Sequence, residues 1–381
     1  MSHFYATVLE FFSKAAIGML NKLLQTWSRQ MDKRQFIKNC ALAASLIPLA
    51  SCANVIAAPA ANKGKRLLPV ALNPGDTVAL VSPSKATDNK IDLQIATEVM
   101  QALGLKVKTG QHLASRRGHL AGTDLERASD INAMFADKEV KAIICLRGGS
   151  GAARVLPLLD YNLIRNNPKI LLGYSDITAL HNAIHAQTGL VTFHGPNGTG
   201  SWNSFNADQF RRVFFDRELM HYQNVIDAKD ELAPRQNRTI TITGGKVQGE
   251  LIGGNLTVLT ALAGSPYLPD FSGKILFVED VEEAPYRIDR MLSTLKLMGA
   301  LDKIAGFIFG ECTDCRPSGG YGWLTMDQIF DDHIKPLNIP AYRGAMIGHI
   351  KQQFIVPVGG RVELDADAGN FRLLDNVFQN A

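Results

Sequence analysis

The chain has 381 residues, 46% apolar and 20% charged, with a formal net charge of +4 and five cysteines. At roughly 100–200 residues per domain this is length for two domains, with a core that needs no metal or disulfides. The odd cysteine count excludes a disulfide scaffold, and a body without a dense Lys/Arg block excludes a dedicated nucleic-acid binder.

The N-terminal stretch reads as a leader. From Met31, a basic segment (Lys33, Arg34, Lys38) precedes a short apolar run, Ala41 to Ala50, and then small residues. That is the layout of an export signal, too short to span a bilayer as a stable helix. Lys33-Arg34-Gln35-Phe36-Ile37-Lys38 resembles a twin-arginine motif with Lys in the first position. Leu49-Ala50-Ser51-Cys52 resembles a lipobox, which makes Cys52 the residue to be acylated. The alternative is ordinary cleavage near Ala57-Ala58. An export signal belongs at the start of a chain, so Met31 is the expected initiator; otherwise residues 4–25 read as an amphipathic surface helix.

The body begins near Leu67, after an Ala/Lys/Gly-rich linker. Asn73-Pro74-Gly75-Asp76 is a turn, followed by a buried strand, Val78–Val81. A helix over 91–103 carries Ile91, Ile95, Val99 and Leu103 on one face. Then come strand 105–109, helix 124–135, strand 140–146, helix 152–159, strand 169–174 and helix 176–187. Alternation of this kind predicts an α/β fold: an N-terminal parallel sheet (67–222) flanked by helices. After residue 220 the pattern changes. Residues 223–246 are polar and read as a linker. Residues 247–381 mix short strands (273–278, 304–309, 354–357, 361–364, 371–374) with helices near 255–263, 285–299 and 325–334. This predicts a smaller mixed α/β C-terminal domain, with a site between the two.

In open parallel sheets, ligands bind beyond the carboxyl ends of the strands. Two candidate loops lie at such ends. Gly173-Tyr174-Ser175-Asp176 places Ser175 between an apolar strand and an amphipathic helix, where a tight turn exposes the hydroxyl and the helix N-terminus favours negative charge. The fifth position of the G-x-S-x-G elbow is Ile177 here, which argues against the common esterases. On the tetrapeptide alone, a helix cap explains Ser175 or Asp176 equally well. Gly148-Gly149-Ser150-Gly151 matches no nucleotide-binding fingerprint, and reads as a source of a second oxyanion N–H or as a plain turn. Glu279 ends an apolar strand, unlike Glu282 and Glu283, which suit the approach to a helix. His349 lies in a short loop before Phe354.

Together, Arg147-Gly148-Gly149, Gly173-Tyr174-Ser175-Asp176-Ile177-Thr178, Phe193-His194-Gly195-Pro196, Glu279-Asp280 and Gly348-His349 occur in the order seen in LD-carboxypeptidases. That family includes the microcin C immunity proteins, and the resemblance covers residues 72–375. It implies a serine peptidase cleaving before a C-terminal D-residue of murein stem peptides. Ser175 is then the nucleophile, His349 the base, Glu279 its orienting carboxylate, and the Asp176 and Gly149 N–H groups the oxyanion hole. The alternatives are a hydrolase of a peptide–nucleotide antibiotic and a non-catalytic muropeptide-binding lipoprotein. Where the family's glycine-rich loop often carries a bulky aromatic, this chain has Ser150; Trp202 could restore that pocket surface, or be a plain loop aromatic.

Weaker candidates remain. His181 and His185 are spaced as zinc ligands can be, but without the Glu of H-E-x-x-H, and no metal or cofactor is expected. Cys312-Thr313-Asp314-Cys315 lacks a second ligand pair for zinc, while an exported chain could close it as a disulfide. Cys145 reads as a buried, inert thiol rather than a nucleophile. The expected setting is periplasmic or membrane-anchored through Cys52, with a cytoplasmic enzyme as the alternative. A murein peptide is the expected partner and nucleic acid is not; a homodimer is left open.

Overall fold

The computed structural model describes residues 66–226, 233, 236–317 and 322–379. The leader, the export signal and Cys52 lie outside the described residues. In chain order the first elements are β1 (Thr77–Val81), α1 (Lys90–Ala102), β2 (Lys106–Thr109), α2 (Asp124–Ala136), β3 (Val140–Cys145), α3 (Tyr161–Asn166), β4 (Ile170–Gly173), α4 (Thr178–Thr188), β5 (Thr192–His194) and α5 (Ser204–Phe214). There follow β6 (His221–Tyr222), β7 (Ile240–Thr243), β8 (Lys246–Asn255), α6 (Leu256–Ala261), β9 (Ile275–Val281), α7 (Pro285–Leu297) and β10 (Gly306–Thr313). The chain ends with α8 (Met326–His333), β11 (Ala341–Arg343), β12 (Val356–Val358), β13 (Arg361–Asp365) and β14 (Asn370–Leu373). Among the described residues, no helix is long and apolar enough to cross a membrane.

The strands form two sheets among the described residues. The first has the order β12-β5-β4-β3-β1-β2. Its β1 to β5 pair in parallel, and β12 returns from late in the chain to close the edge antiparallel to β5. The second runs β6-β14-β13-β8-β9-β10-β11-β7, parallel from β8 to β11 and antiparallel elsewhere. The protein is therefore α/β, with a mostly parallel sheet flanked by helices and a second, mixed sheet.

Side-chain alternation explains how the layers assemble, because successive strand residues face opposite ways. On β1, Val78 and Leu80 enter a core shared with the second sheet, whereas Ala79 and Val81 pack under α2 and α4. On β9, Ile275 and Phe277 enter that shared core, whereas Leu276 and Val278 pack under α6 and α7. The same alternation fixes the next two residues: Glu279 falls on the side of the first sheet and Asp280 on the side of the helices.

Several local expectations change. Residues 152–158 form a 3-10 helix rather than an α-helix, and it contains Pro157, which has no N–H to donate to a regular ladder. The stretch 223–246, read as linker, contributes β7, which pairs with β11 and so joins the second sheet. β8 went unread because four of its ten residues in KVQGELIGGN are glycine or glutamine, which breaks the apolar run. Helix α5 is not legible in the sequence either: its apolar residues are Phe205, Ala207, Phe210, Val213 and Phe214, of which the last three are buried, and the rest are polar.

Candidate active site

Ser175 stands just beyond the fully buried β4, at φ +66°. Left-handed backbone at a non-glycine residue costs of order 1–3 kcal/mol and persists only where the surroundings impose it. Here they do. The Tyr174 N–H donates to Asn197 Oδ1 at 3.1 Å, and the Asp176 carboxylate accepts from the Ala152 N–H at 2.7 Å and from the Ser84 hydroxyl. Three loops at the ends of β1, β3 and β5 thus clamp the turn from both sides. Asp176 lends its side chain to this clamp, which leaves its N–H for the site. Gly148 closes the arrangement: a Cβ there would lie 2.6 Å from Ser175 Cβ and 3.3 Å from Asp176 N. Only a glycine lets this loop approach the hydroxyl. Neither the Gly149 nor the Asp176 N–H donates to an acceptor among the described residues.

The other side of the site comes from the second sheet. Glu279 is completely buried, and its Oε2 lies 2.7 Å from His349 Nδ1. His349 Nε2 lies 3.0 Å from Ser175 Oγ. With Nδ1–H donated to the carboxylate, Nε2 is left to accept the serine proton. His349 is carried by the loop between β11 and β12, which makes a turn at Gly348 with φ +130°. A side chain on Gly348 would press its Cβ to 3.0 Å from Glu279 Oε2. The imidazole also packs on the Tyr174 ring, with centroids 4.8 Å apart. The two sheets are tied beside the site as well. Asn255 N–H donates to Thr178 Oγ1 at 2.8 Å, and Asn182 Nδ2 donates to the Gly253 carbonyl at 2.9 Å. Helix α4, which begins at the serine turn, is therefore fastened to the strand next to β9.

Two opposed effects set the charge state of His349. Burial favours the neutral ring, but the hydrogen bond and charge of Glu279, with Asp280 and Glu282 adding to them, outweigh it and hold the imidazole above its ordinary pKa. Asp280 faces away, where it accepts from Asn255 Nδ2, Thr257 N–H and Thr257 Oγ1. Burial, followed by the Glu279 charge, pushes its carboxyl up to about 6. A hydroxyl against an imidazole whose far nitrogen is held by a buried carboxylate can lose its proton to that imidazole and attack a carbonyl. The Asp176 N–H, next to Ser175 in the chain and without an acceptor among the described residues, is a group of the kind that can receive an oxyanion.

The remaining candidates have other places. His181 is buried, with Nδ1 at 2.9 Å from Thr192 Oγ1 and Nε2 at 2.8 Å from the Gly173 carbonyl. Burial lowers it to about 4, so it is a neutral brace under the serine turn. His185 contacts Glu250 Oε1 at 2.7 Å. Their i,i+4 spacing therefore serves two separate contacts rather than one metal. Cys145 is buried, which pushes its thiol far above the ordinary range. The Trp202 indole N–H donates to the Asn197 carbonyl at 3.0 Å, and its ring lies edge-on to Phe210, 5.7 Å between centroids. Cys312 and Cys315 form a disulfide. A cavity of about 590 Å³ lies just past His349, lined by Ile350, Lys351, Gln352, Glu311, Asn203 and Asn237 among others. Residues that sequence reasoning missed include Asn197, Ser84 and Tyr174, which hold the turn, and Thr313, whose hydroxyl donates to the His349 carbonyl at 3.1 Å. Asn197 sits in a Gly-Pro-Asn-Gly turn, a signal of tight geometry but not of its target.

Residues 78–195 match the model of the LD-carboxypeptidase N-terminal domain, and residues 248–364 that of the LD-carboxypeptidase C-terminal domain. A probable murein peptide carboxypeptidase of Bacillus subtilis (strain 168) is 41% identical over 302 residues, which cover 78% of this chain and 91% of that protein. The murein tetrapeptide carboxypeptidase of Pseudomonas aeruginosa is 32% identical over 301 residues, covering 76% and 93%. Among solved structures, that of MccF in complex with glutamyl sulfamoyl guanosine superposes with a TM-score of 0.75 at 27% identity, covering 82% of this chain and all (100%) of the other.

Proposed function

Because the chain belongs to the LD-carboxypeptidase family and is thus a peptidase, we propose that it is a serine carboxypeptidase releasing the terminal D-alanine of murein stem tetrapeptides. The observation that carries the catalytic part is the unbroken chain Ser175 Oγ, His349, Glu279, with spacings of 3.0 and 2.7 Å. His349 takes the proton of Ser175 as the oxygen attacks the carbonyl of the diamino acid's L-centre. The Gly149 and Asp176 N–H groups hold the oxyanion. The intermediate collapses as protonated His349 gives its proton to the leaving amine, and D-alanine departs. Water, deprotonated by His349, then cleaves the ester on Ser175 and restores the hydroxyl.

The choice of substrate rests on the relatives, 41% and 32% identical, that are named for murein peptides. The structural likeness to MccF keeps one rival: hydrolysis of an aminoacyl-sulfamoyl nucleotide. Incubating the purified protein with both compounds decides between them. D-alanine release from the tetrapeptide with the sulfamoyl nucleotide left intact supports this reading, and the reverse pattern replaces it. We further propose that the enzyme works outside the cytoplasm, on the strength of the segment from Met31 to Ala58. Mass spectrometry of the mature N-terminus tests this: acylated Cys52 or cleavage near Ala58 agrees with export, and an intact leader on the active cellular form contradicts it.

A further inference from the structure

The Cys312–Cys315 disulfide lies at the exit of β10, where that strand touches both carriers of the acid–base pair. Cys312 is opposite Asp280 across the β9–β10 ladder, one residue from Glu279. On one side of Cys312, the Glu311 N–H donates to the Ile347 carbonyl at 2.9 Å. On the other, Thr313 makes two bonds: its hydroxyl donates to the His349 carbonyl at 3.1 Å, and its carbonyl accepts from the Glu282 N–H at 2.8 Å. Three consecutive residues therefore grip the histidine loop at 347 and 349 and the segment leaving Glu279.

The turn that holds Thr313 in this position is strained. Asp314, inside the bridged tetrapeptide, has φ +55°, and Glu282, bonded to Thr313, has φ +56°. Each left-handed residue costs of order 1–3 kcal/mol, which something local must offset. Among the described residues, the backbone bonds within the turn itself are Cys315 N–H to the Cys312 carbonyl at 3.4 Å and Arg316 N–H to the Asp314 carbonyl at 2.9 Å. The covalent bridge is the firmest element of the turn.

We propose that the Cys312–Cys315 disulfide is a redox-set positioning element for His349, acting through Thr313 on the site proposed above. A dithiol reductant transfers two electrons and two protons to it. The S–S bond opens to two thiols, and a disulfide forms in the reductant. The freed turn relaxes at Asp314, Thr313 releases the His349 carbonyl, and the imidazole loses its fixed aim at Ser175. A disulfide-bearing oxidoreductase reverses the change by accepting the same electrons and protons. Disulfides persist in oxidising compartments, so an exported enzyme would be held in its active form and a chain still in a reducing cytoplasm would be slow.

The test uses the full chain with the bridge intact, or reduced with dithiothreitol and alkylated, the state of Cys312 and Cys315 being established by peptide mapping. Both the kcat for murein tetrapeptide and the rate of Ser175 labelling by a fluorophosphonate should fall about 3- to 30-fold on reduction, a fraction of the cost of a 1 Å misplacement. KM should stay within about twofold, since no binding group is removed. Unalkylated reduced protein should recover with oxidised glutathione. Thr313→Val should show the same loss with the bridge intact and respond little to reductant, and Thr313→Ser should behave as wild type. Equal labelling rates in the bridged and reduced forms, or an unaffected Thr313→Val, would overturn the proposal. If neither form cleaves the tetrapeptide, the substrate reading fails, and the ratio of labelling rates still decides the role of the disulfide.

Discussion

Ser175 and His349 face each other across 3.0 Å but are held by different kinds of structure. The serine rides on a turn pinned by its neighbours in the first sheet, with Asn197, Ser84 and Ala152 all bonded to residues 174–176. The histidine rides on an irregular loop, and its aim depends on a buried carboxylate in β9, a threonine in β10 and a tyrosine ring from the serine turn. One side of the site is rigid because its own sheet over-determines it. The other is rigid only while several distant segments agree. Changes on the serine side should therefore act through the nucleophile and its oxyanion donors. Changes on the histidine side should act through proton transfer and its pH dependence.

The largest departure is expected from Glu279→Gln. An amide in that buried position disturbs the tautomer of His349 and withdraws the charge that supports the imidazolium. Turnover should drop about 10³- to 10⁴-fold in steady-state assays with the fold retained. A pH profile separates the two sides of the comparison. The acid limb of kcat/KM reports His349, which must be neutral to act as base, so activity falls as pH drops through its pKa. In the wild type that limb should lie above the ordinary value of about 6.5, because the Glu279 charge outweighs burial. In the residual activity of Glu279→Gln, burial is left as the main influence and the limb should move to lower pH. Gly148→Ala should reduce kcat about 10- to 100-fold by displacing Ser175 and its neighbouring N–H groups, with the acid limb unmoved. Trp202→Ala should have the smallest effect on chemistry, with kcat/KM within about twofold. Its loss should appear instead in a thermal melt, through the packing on Phe210.

The same contrast explains how much the sequence disclosed. The first sheet was legible because β1, β3 and β4 are short apolar runs between helices of regular spacing, and its loops fall at strand ends by rule. The second sheet was harder: β8 is broken by glycines, and β7 lies in a polar stretch whose partner is some hundred residues later. Glu279 could be singled out by its place at the end of an apolar strand. His349 could not, since nothing near a lone loop histidine tells which carboxylate it will meet; only the order of motifs shared with a family drew it in. The supporting contacts were out of reach for the same reason. Thr313 and Asn197 act through bonds spanning 36 and 23 positions, and no local pattern encodes the partner.

Ser175, aimed by His349 and Glu279, is expected to form the covalent intermediate. The most direct measurement is rapid-quench mass spectrometry during turnover of murein tetrapeptide, alongside Ser175→Ala. A transient acyl adduct that maps to Ser175 is expected in the wild type. In the folded alanine variant, no adduct is expected, and D-alanine release should be lower by about 10⁴-fold or more. Release at the wild-type rate from Ser175→Ala, or an adduct mapping to another residue, would contradict this role of Ser175.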